Sequence, residues 1–219
     1  MSKIMGTAKK GLVTTIIAAA AAGMIISAAS TVMAEELKGE KTGISFEVPE
    51  SWMSDQIQIH VEEESMDSEG SVVHMGAVMF GVSDEIVQSL AEQYGEDSDD
   101  FNEYLIEHAY SLFDIIGIKD GVSFEDTVMK LTESTDGSLE ALEELGRSDN
   151  TTFYNMVVDE NAMPVPAAPD TEEIQAAVDA ALAESYDLVE EMTFTDPNPG
   201  NGAKEGTQVS FETTDLDGN

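Results

Sequence analysis

The side chains with the widest chemical range in this chain are three histidines, His60, His74 and His108, set among 45 acidic residues. An imidazole can ligate a metal, relay a proton or sense pH near neutrality. Two of the three flank one polar loop, Ser65 to Ser71. A hairpin turning around Asp67 pairs Ile59 with Met75, Val61 with Val73 and Ile57 with Ala77 on its inner face. The same register sets His60 against His74 on the outer face, close enough to share a metal ion, with Glu62 nearby. His60 and His74 are therefore the metal-site candidates. Two ligands without a clear third rarely complete a site, and two unrelated exposed imidazoles are the simpler reading. His108 falls on an apolar helical stripe beside Leu105 and Leu112, the place of a core-edge histidine.

Other chemistries find no residues to carry them. The chain has no cysteine, which excludes disulfides, thiolate metal sites and a Cys nucleophile within it. No Gly-x-Ser-x-Gly, Walker or Gly-x-Gly-x-x-Gly motif occurs, and no cofactor is indicated. Carboxylates are so abundant that no pair stands out as a glycosidase dyad. The runs Glu62-Glu63-Glu64 and Glu96-Asp97-x-Asp99-Asp100 could bind a divalent cation weakly, although such runs are more often solvated loops.

The formal net charge is -36, with a hydrophobic fraction of 42% that suffices for a core. Lys3, Lys9 and Lys10 precede an apolar run from Gly11 to Ala29, and Val32-Met33-Ala34 stands before Glu35-Glu36. A basic start, an apolar stretch and small residues at a cut site form a secretory signal of bacterial type, with cleavage expected after Ala34; the alternative is an uncleaved anchor, since the run is close to the ~18 residues a membrane span needs. Removing those three lysines from the 9 basic residues leaves 6 against 45 acidic ones. A surface so charged is repelled by nucleic acid and anionic lipid and suits a cationic or divalent partner. The expected setting is secreted or cell-surface, with no membrane association once the signal is removed.

The elements that must position these residues read as an α+β domain with an antiparallel sheet and packed helices. Ile44, Phe46 and Val48 share one face of a strand, and Trp52, the only tryptophan, follows in a turn. Gln56 to Glu62 alternates again. Val72 to Val82 is apolar on both faces, as a central strand would be. Ser83 caps a helix to Tyr94. Asp100 with Glu103 opens a helix expected from Phe101 to Ile116, stopped by Gly117. Ser123 opens a short helix, Ser138 to Leu145 reads as another, and Thr151 to Val158 as a fourth strand. Asp170 with Glu173 caps the clearest helix, Thr171 to Glu191. The expected organisation is a signal at 1–34, an acidic domain at 35–195, a Pro/Gly/Asn linker at 196–206 and the start of a further domain at 207–219.

That last segment, Gly206-Thr-Gln-Val-Ser-Phe-Glu-Thr-Thr-Asp-Leu-Asp-Gly218, is a strand followed by an Asp-Gly hairpin turn. A hairpin turn needs a second strand, so the chain is expected to be the front part of a longer protein. Gly206, Val209, Phe211, Thr214, Asp215, Leu216, Asp217 and Gly218 resemble the opening of the redoxin/AhpC-TSA and TlpA-like thioredoxin family. The resemblance implies an extracytoplasmic thiol-disulfide oxidoreductase with a redox partner protein, whose Cys-x-x-Cys would lie beyond these residues; no family catalytic residue maps onto this chain. Gly43-x-Ser45-Phe46-x-Val48-Pro49-x-x-Trp52 resembles the opening of PsbP-like secreted α/β/α domains, which implies an accessory module. The alternative is an acidic extracellular binding module for a protein, peptide or divalent cation.

Overall fold

The computed structural model describes residues 24–26 and 36–199, apart from 68, 96–97, 135–138 and 159–164. Within them the chain forms two antiparallel sheets and four helices. The strands are β1 (Met24–Ile26), β2 (Glu36–Lys38), β3 (Ile44–Glu47), β4 (Gln58–Ser65), β5 (Val72–Phe80), β6 (Ala109–Lys119), β7 (Leu139–Arg147), β8 (Thr151–Val158) and β9 (Thr193–Phe194). The helices are α1 (Asp84–Tyr94), α2 (Asp99–Glu107), α3 (Phe124–Ser134) and α4 (Glu172–Glu191), with a 3-10 turn at Glu50–Met53. The large sheet has the order β1-β4-β5-β6-β8-β7 and the small one β2-β3-β9.

Strand β5 is central, as its two-faced apolarity requires. Val73, Met75, Ala77 and Met79 enter the main core with Ile44, Phe46 and Trp52 of the small-sheet layer and with Ile174, Val178, Ala181 and Leu188 of α4. The opposite face carries two separate apolar patches. Val78, Phe80 and Val82 meet Val87 of α1 and Tyr104 and Leu105 of α2. Ile116, Ile118 and Met156 meet Leu131 of α3. Helix α4 places Ile174, Val178, Ala181, Ser185 and Leu188 in the interior at alternating spacings of four and three, one stripe of a 3.6-residue helix.

Helix starts follow their caps. The hydroxyls of Ser83, Ser98 and Thr171 accept from the backbone N–H of Ile86, Phe101 and Ile174. The cap of α4 is thus Thr171, one residue past the expected Asp170, whose carboxylate instead accepts from the Tyr104 hydroxyl at 2.6 Å.

One expected helix is a strand throughout, and another is a helix only in its first half. The helix that starts near Phe101 ends at Glu107, and Ala109–Lys119 is β6. The ladder between β5 and β6 slips between Ala77/Val78, leaving Leu112 as the extra residue of a bulge. A bulge moves the side chains beyond it to the other face. Met79 therefore pairs with Tyr110, Ala77 with Phe113, and the broken alternation imitates helical spacing. Gly117 is not a helix stop. A Cβ there would stand 2.8 Å from Phe153 and Val73 side-chain atoms, so it is bare because the core closes over it. Ser138 to Leu145, rich in Glu and Leu, is not a helix either: Leu139–Arg147 is edge strand β7, paired with β8 and bulged twice. Pairing with a β-rich partner overrides helix propensity here.

The front of the expected linker is tied to the domain. Asp196 accepts from the Asn150 backbone N–H at 3.0 Å and side chain at 2.9 Å, and the Asn198 N–H donates to the Lys41 carbonyl. The rest of the linker, the redoxin-like segment and most of the signal lie outside the described residues.

Candidate functional site

Strands β4, β5 and β6 bring one histidine and three carboxylates together on the face that carries α1, α2 and α3, between the two apolar patches. The ladder sets Glu62 beside Gly76 and Gly76 beside Asp114; in the next row, Glu64 lies beside His74 and His74 beside Ile116. Gly76 has no side chain to fill the middle of this square. A Cβ there would lie 3.4 Å from His74 Cε1, so the imidazole spreads over bare backbone. His74 Nε2 donates to Asp114 Oδ1 in a short hydrogen bond. On the other side, Nδ1 lies 3.5 Å from Glu64 Oε1, an ion-pair distance longer than a good hydrogen bond. The side chains of His74 and Asp114 are 14% and 16% exposed, and that of Glu64 is 63% exposed.

Charge follows from this geometry. Burial alone would lower the pKa of His74, but the charge and hydrogen bond of Asp114, with the help of Glu64, outweigh it and raise the group to about 10. Burial is also the main influence on Glu62; with the neighbouring Glu64 and Asp114 charges, and against the pull of His74, it lifts that carboxyl to about 7. Glu64 is held below its usual value by its contact with His74. His74 is therefore held in its protonated form between Asp114 and Glu64 at neutral pH, with the raised carboxyl of Glu62 beside them. An imidazolium has no lone pair to offer a metal and cannot act as a general base.

His60 stands elsewhere. The β4–β5 register is four residues away from the expected one: Ile59 pairs with Met79, Val61 with Ala77, His60 with Val78 and His74 with Glu64. A shift of four keeps every side chain on its face, so the inward set Ile57, Ile59 and Val61 is as expected. The two histidines, however, are about 13 Å apart along the strands, from four residues at ~3.3 Å each. The register therefore does not bring His60 and His74 together as a pair. His60 meets Phe80 edge-on at 5.2 Å, its pKa is lowered to about 4 by burial, and its Nδ1 has no hydrogen-bond partner among the described residues.

His108 is buried at the C-terminus of α2, beside Leu105 as expected but not beside Leu112, which lies in β6. Its ring stacks on Tyr104 at 4.3 Å, and its Nδ1 lies 2.9 Å from the Tyr104 carbonyl oxygen. The acidic run at 62–64 is split by strand alternation. Glu62 and Glu64 face the helices, whereas Glu63 accepts from the backbone N–H groups of Lys41 and Thr42 and from the Thr42 hydroxyl at 3.1–3.3 Å, closing the β2–β3 turn. Among the described residues, no three His, Asp or Glu side chains are arranged to hold a metal ion. The helix expected from Phe101 to Ile116 hides Asp114. The signal was there: a lone carboxylate inside the apolar run Leu112 to Ile118 must find a partner if that run is buried.

Comparison with protein-family models, with curated proteins and with solved structures finds no match. Among the described residues no helix is long and apolar enough to cross a membrane.

Proposed function

We propose that this chain is a non-catalytic acidic module that works outside the cytoplasm and binds a cationic protein surface or peptide. Helix α4 carries the reading. It holds seven acids, among them Glu172, Asp179, Asp187 and Glu191, and no base. Glu172 and Glu173 at its start favour the helix dipole. Glu190 and Glu191 in its last turn oppose it, each by roughly 0.3–1 kcal/mol. Acids kept where they weaken the helix are not explained by folding. They are explained by a surface selected for charge. The His74 cluster supports the same reading, because its imidazole is spent on its own carboxylates.

The test is titration with an oligolysine peptide at rising salt. Binding that weakens steadily with salt, and weakens further in an Asp179→Lys/Asp187→Lys variant, is the expected result. Binding indifferent to that charge reversal would remove α4 as the contact surface. A calcium titration in the same buffer asks whether the divalent alternative competes.

A second reading rests on the Gly206–Gly218 pattern, in which the module is the accessory part of an extracytoplasmic thiol-disulfide oxidoreductase. Its test is the source reading frame past the codon for Asn219. A following hydrophobic strand and Trp-Cys-x-x-Cys would uphold it, and a stop codon would remove it.

A further inference from the structure

The large sheet ends in β7, which among the described residues has a strand on one side only, β8. Between its two bulges, Ala141, Leu142, Glu143 and Glu144 form a regular ladder with Val157, Met156, Asn155 and Tyr154. In an antiparallel ladder, alternate residues turn both N–H and C=O away from the partner strand. Two of these four residues therefore offer a donor and an acceptor each to the open side, a template for a further strand. We propose, resting on the reading of this module as a binder of cationic protein or peptide, that the edge of β7 takes an extended, lysine- or arginine-rich segment of a partner protein as an additional strand.

Charge selects that occupant. Strand β7 carries Glu140, Glu143 and Glu144, and its one base, Arg147, is already paired with Asp120 at 2.5 Å. Strand β8 sets Asn155 and Tyr154 across from Glu143 and Glu144, so the neighbouring strand neutralises neither. Both glutamates are exposed, as is Ala141. Successive side chains point to opposite faces, so an arriving strand meets an acid on either face of the sheet. Charges of one sign on an edge strand keep like strands away. A second copy of this chain, at a net charge of -36, is repelled by them. A basic strand instead gains opposite-charge cross-strand pairs on both faces, together with the main-chain bonds through which strand addition binds. The bulges at Leu139/Ala141 and Glu144/Gly146 end the regular stretch, so the segment that fits is short.

The experiment is amide hydrogen exchange on the full chain, with and without the end-blocked peptide Lys-Val-Lys-Lys-Val-Lys. A second peptide, N-methylated at its lysine backbone nitrogens, keeps every charge but cannot form the ladder. With the first peptide at about ten times its Kd, the Ala141–Glu144 amides that face away from β8 should exchange about tenfold more slowly. The methylated peptide should leave them unchanged, and Glu143→Lys/Glu144→Lys should lose the protection. Equal protection by both peptides, or binding that leaves these amides unaffected, overturns strand addition while the charge-based reading of the module stands. Slow exchange at these amides in the free chain means that the edge is already occupied and also overturns it. If neither these peptides nor oligolysine binds, the cationic-partner reading itself falls, and the strand addition with it.

Discussion

His74 and Asp114 form a diagonal pair across adjacent strands, joined Nε2 to Oδ1 and largely withdrawn from water. Removing one partner of such a pair leaves the other buried without compensation, at a cost of roughly 3 kcal/mol. Asp114→Asn is expected to lose about that much in urea unfolding at neutral pH. The same variant alters the pH profile. A folded-state pKa raised from 6.5 to about 10 means stability that is fully present below pH 6.5 and is lost as pH rises through 10. Wild type should therefore weaken from neutral to alkaline pH, and Asp114→Asn should show a shallower slope over that window.

Glu62 gives a different profile. Its folded pKa is also raised, from 4.5 to about 7, so its contribution is fully present below pH 4.5 and is lost as pH rises through 7. Glu62→Gln keeps the neutral shape at every pH. It should match wild type near pH 4 and exceed it above pH 7 by up to about 1 kcal/mol, the gain being limited because the group is partly in water. Thermal melts of the two proteins at pH 4 and pH 8 check this. A variant less stable than wild type at pH 8 would contradict the assignment of Glu62 as a strained carboxylate.

How far the sequence reveals this arrangement depends on period. Where one face alternates without interruption, as at Ile57, Ile59 and Val61, the strand and its buried side are plain from the residues, and so are the caps Ser83 and Ser123. The register is not, because the turn between β4 and β5 sets it. Asp67 Oδ1 accepts from the N–H groups of Glu69 and Ser71, which centres the turn on Glu69, two residues past Asp67, with Ser65 paired to Val73. The bulge at Leu112 hides β6 in the same way, and with it Asp114. The candidate site is thus legible in its residue types, Glu62, Glu64 and His74, but not in its geometry.

Gly117 tests the corrected reading of its segment. In a left-handed helix-stop position, alanine would cost about 1 kcal/mol through backbone strain alone. In β6, a Cβ meets Phe153 and Val73 at 2.8 Å, and Phe153 is fully buried. Overpacking of this kind costs roughly 1–3 kcal/mol. Gly117→Ala should lower the free energy of unfolding measured in urea by that amount, moving the midpoint down without changing the slope of the transition.

Trp52 offers the most direct optical test of the core. Its side chain is fully buried, edge-on to Phe46 at 5.9 Å and stacked on Phe113 at 6.3 Å, and its indole Nε1 has no hydrogen-bond partner among the described residues. Emission from this single tryptophan should be blue-shifted in the folded protein and move to the red on unfolding. Trp52→Ala removes the ring and its contacts, for a loss of roughly 3–5 kcal/mol. Trp52→Phe keeps much of the aromatic contact and deletes an N–H whose burial without a partner costs about 1–3 kcal/mol. The two effects oppose each other, so the phenylalanine variant should lose less than half of what alanine loses. If both variants lose the same amount, the indole N–H has a partner, and the packing around Phe46 and Phe113 differs from that described.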